Sequence, residues 1–143
     1  MGTLYDTDIV AWASEQAELL RARQWHALDL ANIIEEVDEV GKSAKRELKS
    51  RMAVLIRHLL KWKFQPQLRS KSWRATIDVQ REDVGHCMEE TPSLKHVLAD
   101  ERWLHAAWTR ALVDAISETG IHDLPRQPIW TVEDVMNGQF FPD

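Results

Sequence analysis

One stretch limits the fold more than any other, residues 48–64, LKSRMAVLIRHLLKWKF. On a helical wheel Leu48, Met52, Leu55, Leu59 and Trp62 make one stripe at alternating four- and three-residue spacing. Ala53, Ile56, Leu60 and Phe64 widen it on one side and Val54 on the other, so that only an arc with Ser50, Arg57 and Lys61 stays polar. A helix apolar around most of its circumference needs neighbours on nearly every side. Residues 48–64 are therefore the expected central element of an all-α bundle.

The 143 residues suffice for one domain with one core, and 44% hydrophobic content is ordinary for a globule. The single cysteine, Cys87, excludes an internal disulfide framework and CxxC metal or redox pairs. The start MGTLYDTDIV has no cationic segment followed by an apolar one, so no export signal is read there. No apolar run approaches the length of a membrane span. The expectation is a cytoplasmic protein that does not enter the membrane.

Charge is strongly segregated. Residues 42–81 hold twelve Lys and Arg against Glu47 and Asp78, whereas the remainder holds six bases and twenty-one acids. Acidic outer helices neutralising a basic central hairpin is the plainer reading. The sharper one is an exposed basic patch for an anionic partner.

Along the chain, Asp6 is the expected cap of a first helix reaching about Arg23, with Ile9, Trp12, Ala13, Gln16, Leu19 and Leu20 on one face. Asp29 then caps a second helix with Leu30, Ile33, Ile34, Val37 and Val40 on a narrow apolar face. Its stripe runs in register through Gly41 and Ala44 to Leu48, which predicts one helix over residues 30–64, bent or closely crossed at Gly41, rather than two. Gln65-Pro66 ends it. Ser70 or Ser72 caps a third helix with Trp73, Ile77, Val84 and Met88 inward. Thr91-Pro92 opens a fourth, which runs to a Gly120 stop and has a possible kink at Asp100-Glu101. Residues 121–143 are expected as an extended arm with a short helix from Thr131, packed on the bundle through Phe140 and Phe141.

The chain resembles the bacterial domain-of-unknown-function family 29. The resemblance rests on Leu4-Tyr5-Asp6, Leu28-Asp29-Leu30, Ile34-Glu35-Glu36-Val37 and Arg46-Glu47-Leu48, and it is densest at His58-Leu59-Leu60-Lys61-Trp62, Gln65-Pro66 and Ser72-Trp73-Arg74. It implies an almost wholly helical fold and supplies no activity, cofactor or catalytic residue. Gly85-His86-Cys87 departs from the family pattern, where an unbroken helix former is expected.

Three constellations could carry function. Arg69, Lys71 and Arg74, with the Ser72 cap and nearby Lys61, form a candidate anion site at a helix start, with Trp62 and Trp73 as stacking faces. The competing reading is a solvated loop. Glu47, Arg51 and His58 share the central helix and are expected as a buried polar network, structural or, in the alternative, catalytic. Glu82 with His86 and Glu101 with His105 share faces, yet neither HExxH nor Glu-x-x-His occurs, so no metal and no other cofactor is expected. Trp12, Trp62 and Trp103 read as packing, and Trp108 and Trp130 as interface candidates. The expected function is a non-catalytic module binding a protein partner or itself. Nucleic-acid or small-anion binding through residues 57–74 and an enzyme built on Glu47, Arg51 and His58 are the alternatives.

Overall fold

The computed structural model describes residues 3–143, and among them 76% are helical with no strand. In chain order the helices are α1 Leu4–Thr7, α2 Ile9–Arg21, α3 Leu30–Phe64, α4 Lys71–Glu90, α5 Leu94–Leu98, α6 Glu101–Thr119 and α7 Val132–Met136. Short 3-10 turns, Trp25–Ala27 and Pro66–Leu68, precede α3 and α4. The all-α expectation holds. Contacts divide the chain into two compact units, Met1–Ala44 and Lys45–Asp143, with the boundary inside α3.

In the first unit the expected cap moves. Thr3 caps α1, and its N–H and hydroxyl both donate to the Asp6 carboxylate, so Asp6 sits inside the first turn. Asp8, accepting from the Ala11 N–H at 3.1 Å, is the cap of α2. That helix stops at Arg21, two residues short of expectation, and Arg23 takes the left-handed conformation at φ 56°. α3 then runs unbroken through Gly41, as the continuous stripe predicts. A side chain at Gly41 would meet nothing within 4 Å, so that glycine marks no close helix crossing.

In the second unit the wide apolar arc of α3 is covered. Leu48, Met52, Leu55, Ile56, Leu59 and Leu60 are fully buried with Ile77 and Val84 of α4 and Ala107, Trp108, Ala111 and Ala115 of α6. Ser70, not Ser72, caps α4 by accepting from the Trp73 N–H at 3.1 Å. The expected fourth helix is two. Pro92 and Ser93 form a turn, α5 starts at Leu94 without a side-chain cap, and Asp100 adopts an extended backbone. The Asp100 carboxylate accepts from the Arg102 N–H at 2.9 Å, so a good N-cap restarts the helix where periodicity alone would continue it. Gly120, at φ 73°, closes α6 in the left-handed conformation that glycine adopts without strain.

Candidate functional site

The first unit has a polar joint and a bare apolar face. Its two buried residues among those described, Trp12 and Gln16, both hold the entry to α3. The Trp12 indole N–H donates to Asp29 at 3.0 Å, Asn32 donates to the same oxygen at 2.8 Å, and the Asp29 N–H donates to the Gln16 amide oxygen at 2.8 Å. The Asn32 bond and then the Trp12 bond hold the Asp29 carboxyl below its usual range. Tyr5 packs edge-on against Trp12 and donates to Glu36 at 2.7 Å, and this bond to a carboxylate pushes the phenol up to about 12. Beyond the joint, one face of α3 faces solvent. Leu30 is 57% exposed, Ile34 56%, Val37 66% and Val40 74%.

The basic segment has a use the sequence reading missed: it holds the C-terminal arm. Arg69 donates to the Trp62 carbonyl at 2.7 Å and the Pro142 carbonyl at 3.0 Å, with its guanidinium over the Trp62 ring. Arg81, buried on α4, donates to the Val135 and Phe140 carbonyls at 2.8 and 2.6 Å. Phe141 lies against Trp62 with the Arg74 and Arg81 cations over its ring. Lys61 sits over Trp73 and pairs with Glu118 at 3.0 Å, and Arg57 reaches the same carboxylate at 3.4 Å. Burial alone would raise the Glu118 carboxyl, but the Lys61 bond and Arg57 lower it below its usual range. Of the five candidate anion ligands, Lys71, Ser72 and Arg74 stay exposed in the first turns of α4, Arg74 with its guanidinium over Phe141, while Arg69 and Lys61 are half-buried and engaged as described.

The Glu47, Arg51 and His58 network is two separate arrangements. Arg51 bonds Glu47 at 3.1 Å and Asp83 of α4 at 3.0 Å, and all three side chains are at least one-third exposed. His58 is buried apart from them, with Nδ1 2.9 Å from the Val54 carbonyl. Burial, then Lys61 and Arg57, hold its pKa below the ordinary value. His86 pairs with Glu90 at 3.0 Å rather than with Glu82, and burial raises the neighbouring Cys87 thiol, which lowers its thiolate fraction. Trp108 is no interface residue. It is fully buried, and its indole N–H donates to the Pro125 carbonyl at 2.8 Å.

A family model described as Domain of unknown function DUF29 matches residues 4–141. The chain belongs to the DUF29 family. Comparison with curated proteins and with solved structures returns no match. The DUF29 assignment agrees with the helical fold and adds no reaction to it.

One cleft of about 680 Å3 lies in the second unit of this DUF29 chain, between the start of α6 and the arm. Leu98, Arg102, His105, Pro128, Trp130 and Glu133 are among its walls. Trp130, the second interface candidate, is half-buried there and fixed edge-on by Trp108 and Phe140. Among the described residues no group of three or more His, Cys, Asp or Glu is placed to hold a metal ion.

Proposed function

We propose that this DUF29 chain is a non-catalytic protein-interaction module, cytoplasmic and bacterial, that works through the exposed aliphatic face of α3 in its first unit. The observation that carries the reading is that Leu30, Ile34, Val37 and Val40 share one helix face and are each more than half exposed. Together they present on the order of 400 Å2 in one patch, comparable with the largest apolar patch of a typical monomer, which is often a functional surface. Of the residues the anion-binding alternative needs, Arg69 bonds the Trp62 and Pro142 carbonyls and Lys61 pairs with Glu118, which leaves the exposed Lys71, Ser72 and Arg74. The enzyme alternative needs His58 beside Arg51, and the two side chains have different partners.

Native mass spectrometry of gently purified protein tests the proposal, with Val37→Ser/Val40→Ser as the comparison. The expected outcome is a second chain bound to the wild type and lost from the variant, at unchanged melting temperature. A bare monomer in both samples, or the same complex in both, would remove the proposal.

A further inference from the structure

The aliphatic face of α3 is bordered by acids. Asp38 follows Ile34 by four residues and Glu36 follows Ile33 by three, so carboxylates flank both edges of the stripe. Glu35 and Glu39 add charge on the back of the same helix. Residues 1–44 carry nine acids against Arg21, Arg23 and Lys42. An apolar stripe with acidic edges complements an amphipathic helix whose own stripe is flanked by lysine or arginine.

The same charges argue against other occupants. The edge acids Glu36 and Asp38 lie about midway along the face, so a second copy laid either parallel or antiparallel would bring carboxylates beside carboxylates. An anionic membrane surface would be repelled for the same reason.

We infer that the partner is a protein presenting a basic amphipathic helix, which lies along α3 with its apolar stripe on Leu30, Ile34, Val37 and Val40 and its cations against Glu36 and Asp38. This rests on the interaction-module reading and names the partner of that site. The docked length is three turns, roughly 15 Å at 1.5 Å per residue. Glu36 is already bonded to Tyr5, which fixes one carboxylate at the edge before the partner arrives.

Two synthetic peptides of about 18 residues, long enough to cover the face as helices, test this. One carries leucines at helical spacing with lysines elsewhere, and the other has the same leucines with glutamates. Fluorescence anisotropy with the full chain should show the lysine peptide binding at least about ten-fold more tightly, with affinity falling as salt rises. Val37→Ser/Val40→Ser should lose about ten-fold or more, and Glu36→Gln/Asp38→Asn should lose several-fold and flatten the salt dependence. Melting curves confirm that each variant is folded. Equal binding of both peptides, or binding that survives Val37→Ser/Val40→Ser, would overturn the inference. Self-association in the ultracentrifuge that needs Val37 and Val40 would overturn the basic-helix partner yet leave the interaction module standing. Binding to phosphatidylglycerol vesicles through the same two residues would replace the protein partner with a lipid surface and overturn both. A monomer that binds neither peptide and no other chain would also remove both.

Discussion

α3 is one helix with two kinds of surface. In the second unit eight of its residues are buried, Leu48 through Leu60, while in residues 30–44 four aliphatic side chains are more than half exposed. Nine of the thirteen exposed large hydrophobics among the described residues lie in the first unit, although it holds fewer than a third of the residues. The difference is one of arc width. A wide apolar arc has to be covered on several sides, and α4, α6 and the arm supply that cover. A narrow stripe is completed by one further element, and a partner can provide it.

The largest expected effect is on the covered side. Leu55→Ala should cost about 3 kcal/mol, the usual range for a fully buried leucine that leaves a cavity, read from urea unfolding by tryptophan fluorescence. A cost under about 1 kcal/mol would mean that the second unit is looser than described. Next comes Arg81→Met, which leaves the Val135 and Phe140 carbonyls without their charged donor and should cost about 2 kcal/mol, the bonds lost being offset in part by relief of a buried cation. Limited proteolysis should then cut the arm faster than in wild type, and an unchanged digestion pattern would refute the clamp.

A smaller effect follows from His58. Its folded pKa is depressed by burial, so as the pH falls the unfolded chain takes up the proton first. The His58 contribution is complete above its ordinary value near 6.5 and is lost as the pH falls through 6.5 toward the folded value. Melting temperature should drop between about pH 7 and pH 5 more in wild type than in His58→Gln, and identical profiles would remove the claim. The smallest effect belongs to the uncovered face: Val37→Ala should stay within about 0.5 kcal/mol of wild type. If it cost as much as Leu55→Ala, the face would be covered in solution and the contrast between the two halves of α3 would collapse.

Much of this was legible in the sequence because it depends on local periodicity. The arc on residues 48–64, the unbroken register through Gly41, the Gly120 stop and the Thr131 helix start are all short-range signals. The break at Asp100 was harder, since Leu98 and Trp103 keep an apolar pattern across it and only the Asp cap interrupts it. Trp108 left a signal in its spacing to Ala111 and Ala115, all three fully buried on α6, that an expectation of aromatic interfaces set aside. Arg81 sits four residues after Ile77 and three before Val84, in the buried stripe of α4, where a charge is easily taken for a solvated one. Its partners are main-chain oxygens more than fifty residues away, and a carbonyl leaves no trace in composition or charge. Segregation of charge was plain from the sequence, whereas its use on the arm depended on tertiary placement.

That choice of acceptor bears on how the arm can vary. Arg69, Lys63 and Arg81 grip the main-chain oxygens of Pro142, Asp143, Val135 and Phe140, a group that every amino acid carries. Where an arm side chain faces water, as that of Gln139 does, replacement leaves the grip intact. Position 81 has no such latitude, because lysine cannot reproduce the forked pair of donors. A saturation scan should therefore find the arm permissive at its outward positions and the receiving helix strict at a single arginine, so that variability collects on the segment being held while selection acts on the residue that holds it.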